Sequence, residues 1–170
     1  MSRTTISFAC AVGMATSVAF LTPPSALAYA TTATVVKVVD GDTVGVEYSD
    51  GRDDTVRILG IDTPETKHPD KPVECWGPEA TAFATTELAG RVVTLSTDPT
   101  QDERDRYRRQ LAVVDRDGWN YSIEAARAGV ARAYIYDDKP VTIYPQIHAA
   151  QQQAQAAGRG LWGPPCNGAR

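Results

Sequence analysis

The chain has 170 residues, 17 of them basic and 21 acidic, for a net charge of −4 at pH 7. That length suits one ordinary domain with a real core, and the charge excludes attraction of polyanions by the molecule as a whole. Any affinity for phosphate must be local, or come through a metal ion held among the acids.

The first stretch reads as a segment outside the fold. Arg3 precedes an almost wholly apolar or small run over residues 6–21, which Pro23-Pro24 breaks and Ala26-Leu27-Ala28 follows. This is the anatomy of a secretory signal peptide over residues 1–28, with an alternative cleavage after Ala30. The competing reading is a retained membrane anchor, since the run is only slightly short of a span. Ser, Thr and Gly inside the run and the cleavage box beyond it favour removal. Cys10 lies mid-run rather than at a lipid-attachment point. The mature protein is therefore expected in the medium or at the cell envelope, without stable membrane association. Two cysteines remain, Cys75 and Cys166, and an even pair in an oxidising compartment makes a disulfide the default expectation.

In chain order, β-branched runs around Val35–Val39, Thr43–Tyr48 and Thr55–Leu59 predict three antiparallel strands, with Gly41, Asp50-Gly51 and Gly60 as turns. Residues 64–75 are rich in Pro, Lys and Asp and read as an exposed loop. Gly77-Pro78-Glu79 opens a helix whose apolar positions, Ala80, Phe83, Ala84 and Leu88, share one side and which ends before Gly90. Strands are expected at 91–96 and 110–114. Asn120 caps a short helix, and a last helix is expected over 146–157, stopped by Gly158. No repeats or linkers interrupt this order. It predicts an α+β fold, a small five-stranded barrel carrying about three helices, as a single domain over residues 31–165 with a short tail at 166–170.

The chemistry concentrates in two pieces, Asp40-Gly41-Asp42-Thr43 and residues 57–65, Arg-Ile-Leu-Gly-Ile-Asp-Thr-Pro-Glu. Pro64 keeps Thr63 extended, which exposes its carbonyl and projects Asp62 and Glu65 from a tight loop. With Asp42 these make an all-oxygen set, suited to a hard cation such as calcium with water completing the shell. No His or Cys joins them to favour zinc or copper. The spacing is not that of the twelve-residue helix–loop–helix calcium motif. Taken alone, Asp-Gly is also a common hairpin turn, and a lone strand arginine is usually ion-paired.

Together the pieces resemble the staphylococcal nuclease family. Residues 62–69, Asp-Thr-Pro-Glu-Thr-Lys-His-Pro, are similar to its active-site loop, and Tyr107-Arg108-Arg109-Gln110-Leu111 to its Tyr-Gly-Arg-Gly-Leu. Residues 120–131, Ala133-Tyr134-Ile135-Tyr136 and Gly160-Leu161-Trp162 match in order and spacing. The resemblance implies an OB-fold-type barrel and a calcium-dependent nuclease acting on DNA and RNA, leaving 3′-phosphorylated products. It implies calcium at Asp42, Asp62 and the Thr63 carbonyl, with Asp40 as an acidic neighbour. Glu65 would hold or deprotonate the attacking water, and Arg57 and Arg109 would grip the phosphate. Tyr107 and Tyr134 would contact nucleotides, favouring single-stranded or melted substrate. For Tyr136 the packing reading is preferred, and a monomer is expected.

Arg108 departs from the pattern by replacing a glycine. A positive φ there would strain a bulky residue, and either Arg108 or Arg109 could meet the phosphate, register with Leu111 favouring Arg109. Two other readings are a non-catalytic nucleic-acid-binding module, against which all five acids and arginines of the set stand intact, and a calcium-binding structural protein. The last leaves the arginines without a purpose.

Overall fold

Alternating β-branched residues build the barrel wall in the computed structural model, which describes residues 29–67 and 72–169. The leader, and His68 and Pro69 of the loop motif, lie outside the described residues. The elements run β1 (Ala30–Val38), β2 (Thr43–Tyr48), β3 (Asp53–Ile58), β4 (Ile61–Asp62), α1 (Gly77–Leu88), β5 (Val92–Ser96) and β6 (Gln110–Arg116). They continue with β7 (Trp119–Asn120), α2 (Tyr121–Ala128), β8 (Arg132–Ala133), α3 (Tyr144–Ala156) and a 3-10 turn at Gly160–Trp162. β1, β2 and β3 form an antiparallel meander, β5 pairs with β1, and β6 pairs with β5. β6 also runs parallel to β3, Arg57 facing Leu111, and this pairing closes a five-stranded barrel. The α+β barrel with three helices is the architecture the residue pattern predicts.

Period-two alternation decides what fills it. Val35, Val44, Val46, Val56, Ile58, Leu95, Ala112 and Val114 point inward and are buried. β1 carries a bulge, because Val35 pairs with Val46 and Lys37 already with Gly45. Val36 is the extra residue and is exposed, and β1 bends there. In α1 the buried Ala80, Ala84 and Leu88 recur every four residues, one stripe against the barrel.

α2 begins with its expected cap, the Asn120 side chain accepting from the Ile123 N–H at 3.1 Å. α3 starts at Tyr144, two residues before the expected Gln146. Pro145 falls in its first turn, where a missing N–H costs nothing, so the proline lengthens the helix instead of delaying it. The paired two-residue strands β4 and β8, and β7, are too short to show a period in the sequence.

The chain's end is docked on the domain. Leu161 N–H donates to the Gly129 carbonyl at 2.9 Å. A Cβ on Gly129, whose φ is +76°, would lie 2.3 Å from the Arg159 carbonyl oxygen. Cys75 and Cys166 are joined in a disulfide with their Cα atoms 5.7 Å apart. Gly129→Ala is expected to lower unfolding free energy by about 3 kcal/mol or more, since the left-handed φ alone costs about 1–2. Urea denaturation followed by Trp fluorescence measures it, and a change under about 1 kcal/mol would show that the contact yields cheaply.

Candidate active site

The turn between β1 and β2 delivers two acids to one end of the barrel. Its shape is set from inside. The fully buried Tyr121, first residue of α2, donates its hydroxyl to the Gly41 carbonyl at 2.7 Å. Gly41 is needed there, because a Cβ would lie 2.7 Å from Thr63 Cγ2. Asp42 is only 6% exposed. Its Oδ2 accepts from the Thr63 N–H at 2.9 Å and the Thr63 hydroxyl at 3.0 Å, and its Oδ1 from the Thr43 hydroxyl at 3.1 Å. Arg57 Nη2 lies 3.2 Å from the same Oδ2 and 3.6 Å from Asp62 Oδ1, while its Nη1 donates to the Ile58 carbonyl at 2.7 Å. Asp42, Asp62 and Thr63 thus meet around one guanidinium.

Asp40 accepts from the Asp42 N–H at 3.1 Å. Burial, and then the negative charge of Asp42, push its carboxyl up to about 6. Asp40 and Asp42 thus crowd two acids onto one rim.

Arg109 reaches the same cleft from the turn before β6. Asp105 holds it, Oδ1 accepting the Arg109 N–H at 2.9 Å and Oδ2 lying 2.7 Å from Nε. Burial works to raise the Asp105 carboxyl, and hydrogen bonds from Arg109 outweigh it and hold the carboxyl below its ordinary value. Arg109 Nη1 points at the Thr43 hydroxyl, 3.4 Å away. Arg108 does adopt a positive φ, +67°, at the position where the related motif has glycine. Its strained backbone is held by Arg104, which donates to the Arg108 carbonyl at 2.6 Å and pairs through both nitrogens with Asp54. The Arg108 side chain is exposed, and Arg109 lines the cleft.

That cleft encloses about 540 Å³ between Asp40, Asp42, Asp62, Glu65, Arg57 and Arg109. A second groove of about 480 Å³ adjoins it, sharing Arg57, Asp62, Tyr107 and Arg109 and adding Arg106, Tyr134, Tyr136 and Lys139. Tyr107 is 64% exposed, with Arg106 and Arg109 guanidinium carbons 4.8 and 5.4 Å from its ring centre. Tyr134 is partly exposed. The packing reading of Tyr136 is corrected: it is 61% exposed on the groove, because residues 134–136 leave β8 for an open turn instead of entering a core.

Glu65 closes the far rim. Its Oε1 accepts the N–H groups of Thr66 and Lys67 at 2.8 and 2.7 Å, and its own N–H donates to Glu74 Oε2 at 3.1 Å. Glu74, Asp105 and Arg106 were not singled out in the sequence. The Asp105–Arg109 spacing was a usable signal, whereas nothing local marks Glu74.

The donors fit a hard cation. Asp42 and Asp62 converge within reach of one nitrogen, Thr63 follows Asp62 and lines the same cleft, and every donor is oxygen. Among the described residues no three carboxylate, imidazole or thiol groups close on one point.

Residues 55–164 match the family described as staphylococcal nuclease homologue. The chain is 39% identical over 129 residues to the thermonuclease of Staphylococcus hyicus, covering 75% of this chain and 73% of that protein. It is 36% identical over 130 residues to the thermonuclease of Staphylococcus intermedius, covering 75% and 74%. Endonuclease YncB of Bacillus subtilis is 37% identical over 131 residues, covering 76% and 60%.

The charge on the rim has a measurable cost. A folded pKa near 6, above the ordinary 3.8, means that the folded state binds the Asp40 proton more tightly than the unfolded chain. Stability contributed by this group is therefore complete below about pH 4 and is lost as pH rises through 6. In cation-free buffer, Asp40→Asn is expected to raise the melting temperature at pH 8 by several degrees and hardly at pH 4. An equal shift at both values would contradict the electrostatic origin.

Proposed function

This chain belongs to the staphylococcal nuclease family, and from that premise we propose that it is a calcium-dependent phosphodiesterase, cutting DNA and RNA with little sequence specificity and leaving 3′-phosphorylated products. The observation that carries the reading is the shared cleft, which Asp42, Asp62, Thr63, Glu65, Arg57 and Arg109 line together. Relatives named thermonuclease and endonuclease support it.

A phosphodiester is already anionic, and attack by water adds charge to its non-bridging oxygens. Calcium, held by Asp42, Asp62 and the Thr63 carbonyl, would supply positive charge beside that phosphate when bound. Arg57 from β3 and Arg109 from the turn before β6 offer forked N–H donors to the growing charge. Asp105 fixes the Arg109 head through Nε, so its terminal nitrogens are aimed rather than searching. The Glu65 carboxylate lies on the rim, suited to orienting a water or accepting its proton. Exposed Tyr107 and Tyr134 supply sequence-tolerant stacking faces, which supports a preference for single-stranded or melted substrate. Arg106 and Lys139 on the groove give the acidic protein its local attraction for phosphate. The Cys75–Cys166 bond supports an exported protein, since such bonds persist in oxidising compartments.

Purified protein is expected to degrade heat-denatured DNA with calcium and to stop when a chelator removes it. Glu65→Ser and Arg109→Ala should each lower kcat by at least about 10²-fold, while Arg108→Ala changes it by less than about 3-fold. Intact DNA in calcium, from a folded protein, would overturn the assignment. Retained DNA binding in that case would indicate a binding module.

A further inference from the structure

A carboxylate that orients a water molecule works only if its backbone is fixed to a fraction of an ångström. Glu65 lies between β4 and α1, outside any helix or strand that would fix its backbone by regular pairing. Its position is set at the neck of that loop. The Glu65 N–H donates to Glu74 Oε2 at 3.1 Å, and the Glu74 N–H donates back to the Glu65 carbonyl at 2.9 Å. The Gly77 N–H donates to the Glu74 carbonyl at 3.0 Å, joining the neck to the first turn of α1. The next residue, Cys75, is bonded to Cys166. The tail that carries Cys166 is itself held, Arg132 Nη2 donating to the carbonyls of Gly168 and Ala169 at 3.1 and 3.0 Å. Arg132 is the β-ladder partner of Asp62. One tail therefore restrains the backbone on both sides of the cleft, through β8 to Asp62 and through Cys75 to the neck below Glu65.

We propose that Glu74, held in place by the Cys75–Cys166 bond, is a positioning residue for Glu65. This rests on the reading of Glu65 given above. Glu74 acts as a hydrogen-bond acceptor for one backbone N–H, and its charge is incidental to that role. The disulfide then does more than stabilise: it carries the anchored tail's rigidity to the neck of the active-site loop, so full turnover requires the oxidised protein.

The test compares Glu74→Ala, Glu74→Gln, Glu74→Asp, Glu65→Gln and the Cys75→Ala/Cys166→Ala pair, all as full-length mature protein, measuring kcat, KM and calcium half-saturation on heat-denatured DNA. Glu74→Ala is expected to lower kcat about 10-fold or more, with KM and calcium half-saturation within about 2-fold. Glu74→Gln keeps an acceptor oxygen at the same reach and should recover most of kcat. Glu74→Asp keeps the charge but falls short, and should resemble alanine. If the alanine variant fails to fold, the Gln and Asp variants still decide between acceptor and charge. Loss of the disulfide should lower kcat similarly, and adding Glu74→Ala to it should lower it little further. An unchanged kcat in Glu74→Ala, a glutamine variant as poor as alanine, or a shift confined to KM or calcium half-saturation would each overturn the positioning role. Full activity in Glu65→Gln would sink the role of Glu65 itself and this inference with it. An inactive Glu65→Gln beside a fully active Glu74→Ala would sink the inference alone.

Discussion

A carboxylate withdrawn from water has to be met by donors on every side, and no single segment can supply them all. Asp42 meets that requirement by gathering Thr43 from β2, Arg57 from β3 and the Thr63 backbone and hydroxyl from beyond β4. Three turns of the chain are therefore placed relative to one another by the needs of one buried acid. The same arrangement leaves Asp40 and Asp42 close together, and burial with the charge of Asp42 pushes the Asp40 carboxyl up. A cation in that cleft would answer an electrostatic demand that the fold creates.

The second arginine arrives by a different route. Closing the barrel with a parallel β3–β6 pair sets Arg57 opposite Leu111, and Arg109 precedes Leu111 by one alternation of the strand. This register and the Asp105 hydrogen bonds bring both guanidinium groups to one cleft. Beside it lies the turn at 104–109, where Asp105 and Arg104 hold Arg109 and the left-handed Arg108 in place.

The strands and helices were legible wherever a period repeats. β2 was bounded to the residue, and α1 and α2 announced themselves through Pro78 and Asn120. The constraint at Arg108 was also legible, since a glycine in the related motif marks a backbone that favours positive φ. The illegible features depend on partners distant in sequence. β4 and β8 are strands only because they pair with each other, and Glu74 matters only because it folds back onto Glu65. Tyr136 looked like a packing residue because alternation says that a side chain has two faces, not which face meets water. The leader falls outside the described residues.

The parallel pairing of residues 56–58 with residues 110–112 also governs the order in which the molecule can come into being. A meander of β1, β2 and β3 forms from neighbours, but the ring cannot shut until residues 59–109 have been laid down between its two edges. Such long-range closure costs loop entropy before any contact repays it, which makes barrels of this kind slow to fold relative to helical bundles. An emerging chain therefore carries its acids early and its second arginine late. Until β6 docks, the acids and Arg57 make only half a site.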